Sequence, residues 1–219
     1  VFLNGAGGPL EGWHRVFPAL DAPGTFFAYN RLGMGNSDRP TAPQTGEAIV
    51  LRLRDLLRAL DLQPPFVLVG HSLGGLYANL FTRVFPGEVA GVIMLDAAAP
   101  GDEVLQHRHQ TPLQSVANRV LGVFDRFSKP DPNAEVEFVD ETIQQINAAG
   151  PFPNIPLTVV TGGKRPPALM MSPEAYRIRQ ENQEALMALS RHGLQVFAAR
   201  SGHFPQFSEP GLVVQVIGE

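Results

Sequence analysis

The chain contains no cysteine among its 219 residues. This absence excludes a disulfide framework, a zinc site built on thiolates and a cysteine nucleophile. Only 17% of the residues are charged and the formal net charge is −4, so no basic stripe for nucleic acid and no polybasic segment for a lipid surface is present. No apolar run approaches the roughly 18 residues that a membrane span needs. The sequence therefore predicts no membrane span, no nucleic-acid partner and a small, fairly apolar substrate.

A hydrophobic content of 44% over this length is enough for one sizeable core and does not indicate a second. Apolar, β-rich runs alternate with amphipathic helical stretches, which predicts an α/β fold with a mainly parallel, doubly wound sheet. We expect a cytoplasmic protein, and the sequence does not indicate its oligomeric state. The predicted strands are Val1–Asn4, Thr25–Tyr29, Phe66–Val69, Val89–Leu95, Leu157–Thr161 and Leu194–Ala199. A helix is predicted from Ser172–Pro173 to His192–Gly193, with Ser172 as its N-cap, Pro173 at its first position and Gly193 as its stop.

The alternation stops between Asp96 and Pro156, where no strand pattern occurs. Two helical pieces are expected there, near Thr111–Phe127 and Ala134–Ala149. We interpret residues 100–153 as a helical lid inserted into a core formed by residues 1–99 and 154–219; an ordinary surface excursion is the alternative. Four phenylalanines would form the apolar underside of this lid: Phe124, Phe127, Phe138 and Phe152.

The most informative motif is Gly-His-Ser-Leu-Gly, which follows the apolar strand Phe66–Val69 and precedes a helical pattern. This order is typical of a nucleophile elbow, a tight turn that exposes Ser72 at the tip of a strand. A Cβ atom at Gly70 or Gly74 would collide across such a turn. The helix that follows directs free N–H groups toward the serine, so the N–H of Leu73 is a candidate donor to an oxyanion. The motif predicts a nucleophile and half an oxyanion hole.

A serine nucleophile needs a base, and among the six histidines His203 is the best candidate. It follows the last predicted strand, which places it at the same carboxyl edge of the sheet as Ser72. His71 is expected to be a packing residue within the elbow. His107 and His109 form an H-x-H pair without a third ligand, so we expect no metal site.

Four segments follow one another in a recognisable order: Val1–Pro9, Asn30–Pro40, Gly70–Gly74, and Ser201–Pro205 with Glu209–Pro210. Together they resemble the α/β-hydrolase superfamily over essentially the whole chain. The resemblance begins at what would be the third strand of that fold, which implies that the first strands are not in this chain. It also implies that the N–H of Ala6 is the second oxyanion donor.

The sequence departs from this family at two places. Asn4 stands where the family usually has histidine, which affects fine geometry rather than the chemistry. No carboxylate follows the penultimate strand until Glu174, although the family usually has its acid there. Some members carry the acid at the end of the preceding strand, so we assign Asp96 to this role. Asp102, Glu174 and a water-supported dyad are the alternatives.

These residues predict a cofactor-independent serine hydrolase that cleaves a small or medium carboxylic ester. The glycine-rich runs near Gly5 and Gly162 lack the remaining positions of the dinucleotide and P-loop motifs, so no nucleotide is expected. A C–C bond hydrolase of ring-fission products is the enzymatic alternative, and a ligand-sensing receptor is the non-enzymatic one. Dehalogenases and epoxide hydrolases of this family have aspartate where Ser72 stands, which disfavours both activities.

Overall fold

The computed structural model describes residues 1–21, 23–102, 135–167 and 171–219, and in it five strands form one sheet. All four neighbouring pairs are parallel, and the order across the sheet equals the order along the chain. The predicted α/β fold class with a parallel sheet is confirmed. The strands are β1 (Phe2–Leu3), β2 (Phe66–His71), β3 (Val89–Leu95), β4 (Leu157–Gly162) and β5 (Gly193–Ala198).

Helices lie on both faces of this sheet, because alternate residues of each strand point to opposite sides. Leu68, Met94 and Val159 belong to a core shared with the helices on one face. Val69, Ile93 and Val160 belong to a second core on the other face. The α-helices are α1 (Gly46–Ala59), α2 (Leu73–Val84), α3 (Val139–Ala148), α4 (Pro173–Met187), α5 (Pro205–Ser208) and α6 (Pro210–Gly218).

The prediction of a strand at Thr25–Tyr29 is wrong. This segment makes a single parallel bridge, between Ala28 and Phe2, together with a hydrogen bond from Phe2 N–H to Phe27 O of 2.8 Å. Its aromatic and β-branched residues favour a strand, but its neighbour β1 is only two residues long. A two-residue partner offers few positions for pairing, and only Phe2 pairs with this segment.

Helix α4 begins as predicted, with Pro173 at its first position and the Ser172 hydroxyl accepting the N–H of Ala175 at 3.1 Å. It ends at Met187, however, and the expected stop residue Gly193 is instead the first residue of β5. A Cβ atom at Gly193 would lie 1.9 Å from Met187 O, so glycine is needed there for close packing against the end of α4. The prediction that Gly193 caps this helix is therefore wrong.

The predicted insertion is only partly described. The helix expected at Thr111–Phe127 lies outside the described residues, together with Phe124 and Phe127. In the second predicted helical region, a short 3-10 turn at Val136–Phe138 leads into α3. The apolar face of α3, with Val139, Ile143 and Ile146, packs into the core shared with α1 and α2. No helix among the described residues is long and apolar enough to cross a membrane.

Candidate active site

The structure brings Ser72, His203 and Asp96 together at the carboxyl edge of the sheet. Ser72 follows β2, Asp96 follows β3 and His203 lies in the loop after β5. The His203 Nε2 atom is 3.0 Å from Ser72 Oγ, and Nδ1 is 2.7 Å from Asp96 Oδ2. In this arrangement Nδ1–H donates to the carboxylate, which leaves Nε2 free to accept the Ser72 proton. The three side chains therefore have the geometry of a nucleophile, a base and an orienting acid.

The turn at Ser72 has the tight geometry that the motif predicts. Ser72 has φ of 50° and ψ of −123°, a left-handed conformation that residues other than glycine rarely adopt. A Cβ atom at Gly70 would lie 2.6 Å from Gly74 O, and one at Gly74 would lie 2.2 Å from Leu3 O. Both positions therefore require glycine, and the strained backbone lifts the serine side chain toward His203.

Ser72 also occupies the N-cap position of α2, where a serine hydroxyl ordinarily accepts a backbone N–H of the first turn. Its side chain makes no such capping bond and contacts His203 instead. The N–H of Leu73 is the first of the helix and has no intrahelical acceptor. A Cβ atom at Gly5 would lie 3.0 Å from Ser72 Cβ, so the segment carrying Ala6 runs directly beside the serine.

Asp96 is buried, with 3% of its surface exposed, and each carboxylate oxygen has partners. Gly162 N–H donates to Oδ1 at 3.0 Å, and Oδ2 accepts from His203 and forms an ion pair with Arg179. Burial alone would raise the pKa of Asp96, but the hydrogen bond from His203 and the Arg179 charge hold it below its ordinary value. The carboxylate is therefore ionised at neutral pH.

The two alternative acids lie elsewhere. The Asp102 carboxylate accepts the Ala99 N–H at 2.8 Å and the Asn182 side-chain amide at 2.6 Å. Glu174 is exposed in the first turn of α4. The carboxylate in contact with His203 is that of Asp96.

His71 has a more specific contact than the packing role expected from the sequence. Its Nε2–H donates to the backbone oxygen of His203 at 2.7 Å, and the two rings lie 5.0 Å apart. Burial, followed by the proximity of His203, lowers the pKa of His71 to about 4. A neutral His71 therefore supports the loop that carries His203.

His71 should make the fold sensitive to acid. The pKa of His71 is about 4 in the folded chain and 6.5 ordinarily. Its contribution to the free energy of unfolding is therefore complete above pH 6.5 and is lost as the pH falls toward 4. At about 1.4 kcal/mol per pH unit, this loss is on the order of 3 kcal/mol. Urea unfolding across this pH range should show a smaller loss of stability at acid pH for His71→Asn than for the wild type. Exposed His192, changed to Asn, is the control, and parallel curves for His71→Asn and the wild type would contradict the assignment.

A buried ion pair supports the segment beside Ser72. The Arg31 guanidinium binds both carboxylate oxygens of Glu135 at 2.6 and 2.7 Å, and it donates to Asn4 O and Gly5 O at 2.9 Å each. Burial would lower the pKa of Arg31, but the Glu135 carboxylate raises it well above its ordinary value. The peptide between Gly5 and Ala6 is planar, so a bond to Gly5 O directs the Ala6 N–H away from Arg31. Arg31 thereby fixes the orientation of the candidate oxyanion donor.

Removing one partner of this ion pair should destabilise the fold strongly. Arg31→Met leaves the Glu135 carboxylate buried without its cation, and such losses typically cost about 3–5 kcal/mol in the free energy of unfolding. Urea denaturation would measure it. The matched control is Glu181→Gln, which breaks the exposed pair with Arg177 and should cost about 0.5 kcal/mol or less. Similar small changes in both variants would show that the buried pair does not stabilise the fold.

Sequence reasoning did not identify Arg31, Glu135 or Arg179 as residues of this site. Arg31 is 104 residues from Glu135 and Arg179 is 83 residues from Asp96, so the pairs depend on tertiary packing. The available signal was weak: Arg179 lies on α4 three and four residues before Asn182 and Gln183, which together form a polar stripe on one face of this helix.

Comparisons with known proteins agree with this fold. The sequence model described as "Alpha/beta hydrolase family" matches residues 1–216. The chain is 26% identical over 220 residues to "Uncharacterized protein YqjL" of Bacillus subtilis (strain 168), covering 97% of this chain and 79% of that protein.

Two solved structures illustrate the chemistry that this fold accommodates. A thermophilic esterase from Thermogutta terrifontis superposes with a TM-score of 0.64 at 21% identity, covering 99% of this chain and 86% of that one. The haloalkane dehalogenase DbeA-M1 loop variant from Bradyrhizobium elkanii superposes with a TM-score of 0.73 at 15% identity and the same coverage. Because one fold carries both activities, the reaction must be argued from the side chains of the site.

Proposed function

Because the chain belongs to the alpha/beta hydrolase family, we propose that it is a serine hydrolase cleaving small or medium carboxylic esters through an acyl-enzyme. The observation that carries the proposal is the hydrogen-bonded series from Ser72 Oγ to His203 Nε2 at 3.0 Å and from His203 Nδ1 to Asp96 Oδ2 at 2.7 Å. The glycine-dependent turn that presents Ser72 supports the same interpretation.

In the proposed reaction, Ser72 Oγ attacks the ester carbonyl while its proton passes to His203 Nε2. The N–H groups of Leu73 and Ala6 stabilise the resulting oxyanion. The tetrahedral intermediate then collapses, and the imidazolium of His203 gives its proton to the departing alkoxide. Water, deprotonated by the same nitrogen, hydrolyses the acyl-enzyme and regenerates Ser72. Asp96 keeps the Nδ1 proton in place and stabilises the imidazolium throughout.

Residues 100–153 are proposed to cover this site as a lid on a core of residues 1–99 and 154–219. Within the described part of this segment, Glu135 is joined to Arg31, which in turn holds the carbonyls of Asn4 and Gly5. The described end of the proposed lid is thereby linked, through Arg31, to the segment that carries the candidate oxyanion donor Ala6. This coupling supports a lid whose position affects the site.

The proposal is tested with p-nitrophenyl esters of increasing acyl length, from acetate to decanoate. We expect a burst of p-nitrophenolate stoichiometric with the protein, followed by steady turnover, because acylation by an activated ester is faster than hydrolysis of the acyl-enzyme. One slow turnover without a steady phase would favour the ligand-sensing alternative. Absence of any reaction across the series, together with cleavage of a vinylogous 1,5-diketone, would favour the C–C hydrolase.

A further inference from the structure

Helix α4 holds the segment that carries Asp96 through three side chains on one face. Arg179 donates to Asp96 O at 3.2 Å, Gln183 donates to Ala97 O at 2.7 Å, and Asn182 donates to Asp102 Oδ1 at 2.6 Å. Asp96 itself has a positive φ of 42°, a conformation that costs free energy in a residue other than glycine. These contacts therefore maintain a backbone that would otherwise relax.

Arg179 also shares the carboxylate oxygen that faces the base. Asp96 Oδ2 accepts the Nδ1–H of His203 and forms an ion pair with the Arg179 guanidinium. The pair is well shielded, since the Arg179 side chain is 17% exposed and that of Asp96 is 4% exposed. Because water screens these charges only weakly, they interact strongly with one another and with a charge on His203. A proton on His203 is therefore attracted by Asp96 and opposed by Arg179 at the same time.

We propose that Arg179 is a positioning residue that holds the Asp96 carboxylate against His203, and that its charge opposes a proton on His203. The role of Arg179 in catalysis rests on the proposed function. Its effect on the protonation of His203 does not, because that protonation can be measured in a protein of any activity.

The charged and titratable groups around His203 are few in the part of the chain that the structure describes. Asp96 and Arg179 face it from the segment after β3 and from α4, and neutral His71 faces it from the elbow. Lys164 and Tyr176 line the same cavity of about 260 Å³ beside Asp96 and His203. Lys164 adds a positive charge but is exposed, so solvent screens it more than Arg179.

The test replaces Arg179 by glutamine, which retains hydrogen-bond donors without the charge, and by methionine and lysine. The ring-carbon NMR signal of His203, identified by its loss in His203→Gln, is followed against pH. We expect its protonation midpoint to rise by about one pH unit in Arg179→Gln and Arg179→Met, and to remain near the wild-type position in Arg179→Lys. The control is Arg177→Gln, two residues along the same helix and exposed, which should leave the midpoint unchanged.

The acidic limb of the kcat/KM profile should move to higher pH by the same amount in the two neutral variants. An unchanged midpoint in folded Arg179→Gln would overturn the proposal, and so would failure of both neutral variants to fold, since Arg179 would then serve the fold alone. If no ester is hydrolysed, the proposed function fails while the NMR titration still decides the role of Arg179.

Discussion

Ser72→Ala is expected to lower kcat for the best p-nitrophenyl ester by about 10⁶-fold, because loss of a catalytic serine removes the covalent route entirely. Among the described residues, no other hydroxyl is in contact with His203 Nε2. The fold should persist, since the Ser72 side chain makes no capping bond to α2. Steady-state kinetics together with urea unfolding of the same preparation measure both expectations.

Ser190→Ala is the matched control for this variant. The Ser190 hydroxyl also makes a hydrogen bond, to Ile155 O at 2.5 Å, but it lies before β5, at the opposite edge of the sheet. It should cost about 1 kcal/mol of stability and leave kcat within a few-fold of the wild type. A folded Ser72→Ala variant that turns over esters at the wild-type rate is incompatible with the proposed function.

Asp96→Asn is expected to lower kcat by about 10⁴-fold. The asparagine amide can donate to His203 Nδ1, which favours the tautomer with the proton on Nε2. In that tautomer the nitrogen facing Ser72 Oγ cannot accept its proton. The loss should appear in kcat, with less change in KM, because the orientation of the base matters most in the transition state.

Asp102→Asn provides the comparison for Asp96→Asn. Asp102 is also a buried carboxylate after β3, but its partners are Ala99 N–H and Asn182 rather than His203. Its replacement should affect stability more than kcat. The opposite ranking, with Asp102→Asn inactive and Asp96→Asn active, would transfer the role of the acid to Asp102.

Those parts of the fold and site that depend on neighbouring residues were predictable from the sequence. A Cβ atom at Gly70 would meet Gly74 O four residues further on, so the five-residue motif itself contains this constraint on the turn at Ser72. The meeting of Ser72, Asp96 and His203 follows from a general property of parallel sheets, whose strands all end at one edge. Because no carboxylate follows β4 until Glu174, Asp96 was the favoured acid.

The remaining features depend on contacts between distant segments. The strand pattern at Thr25–Tyr29 failed because the length of its partner β1, not its own composition, limits the ladder. Gly193 resembles a helix stop, yet its role is close packing against Met187 O. The contact of Arg179 with Asp96 depends on the position and rotation of α4 over the sheet, which helical periodicity alone does not specify.

Covalent labelling by a fluorophosphonate, followed by mass spectrometry, determines whether Ser72 is the nucleophile. The reagent mimics the tetrahedral intermediate and stays on an activated serine. We expect one adduct per chain, located on Ser72, absent in Ser72→Ala and formed far more slowly in His203→Gln. Ester turnover by the wild type without an adduct on Ser72, or equal labelling of Ser72→Ala, would show that Ser72 is not the nucleophile.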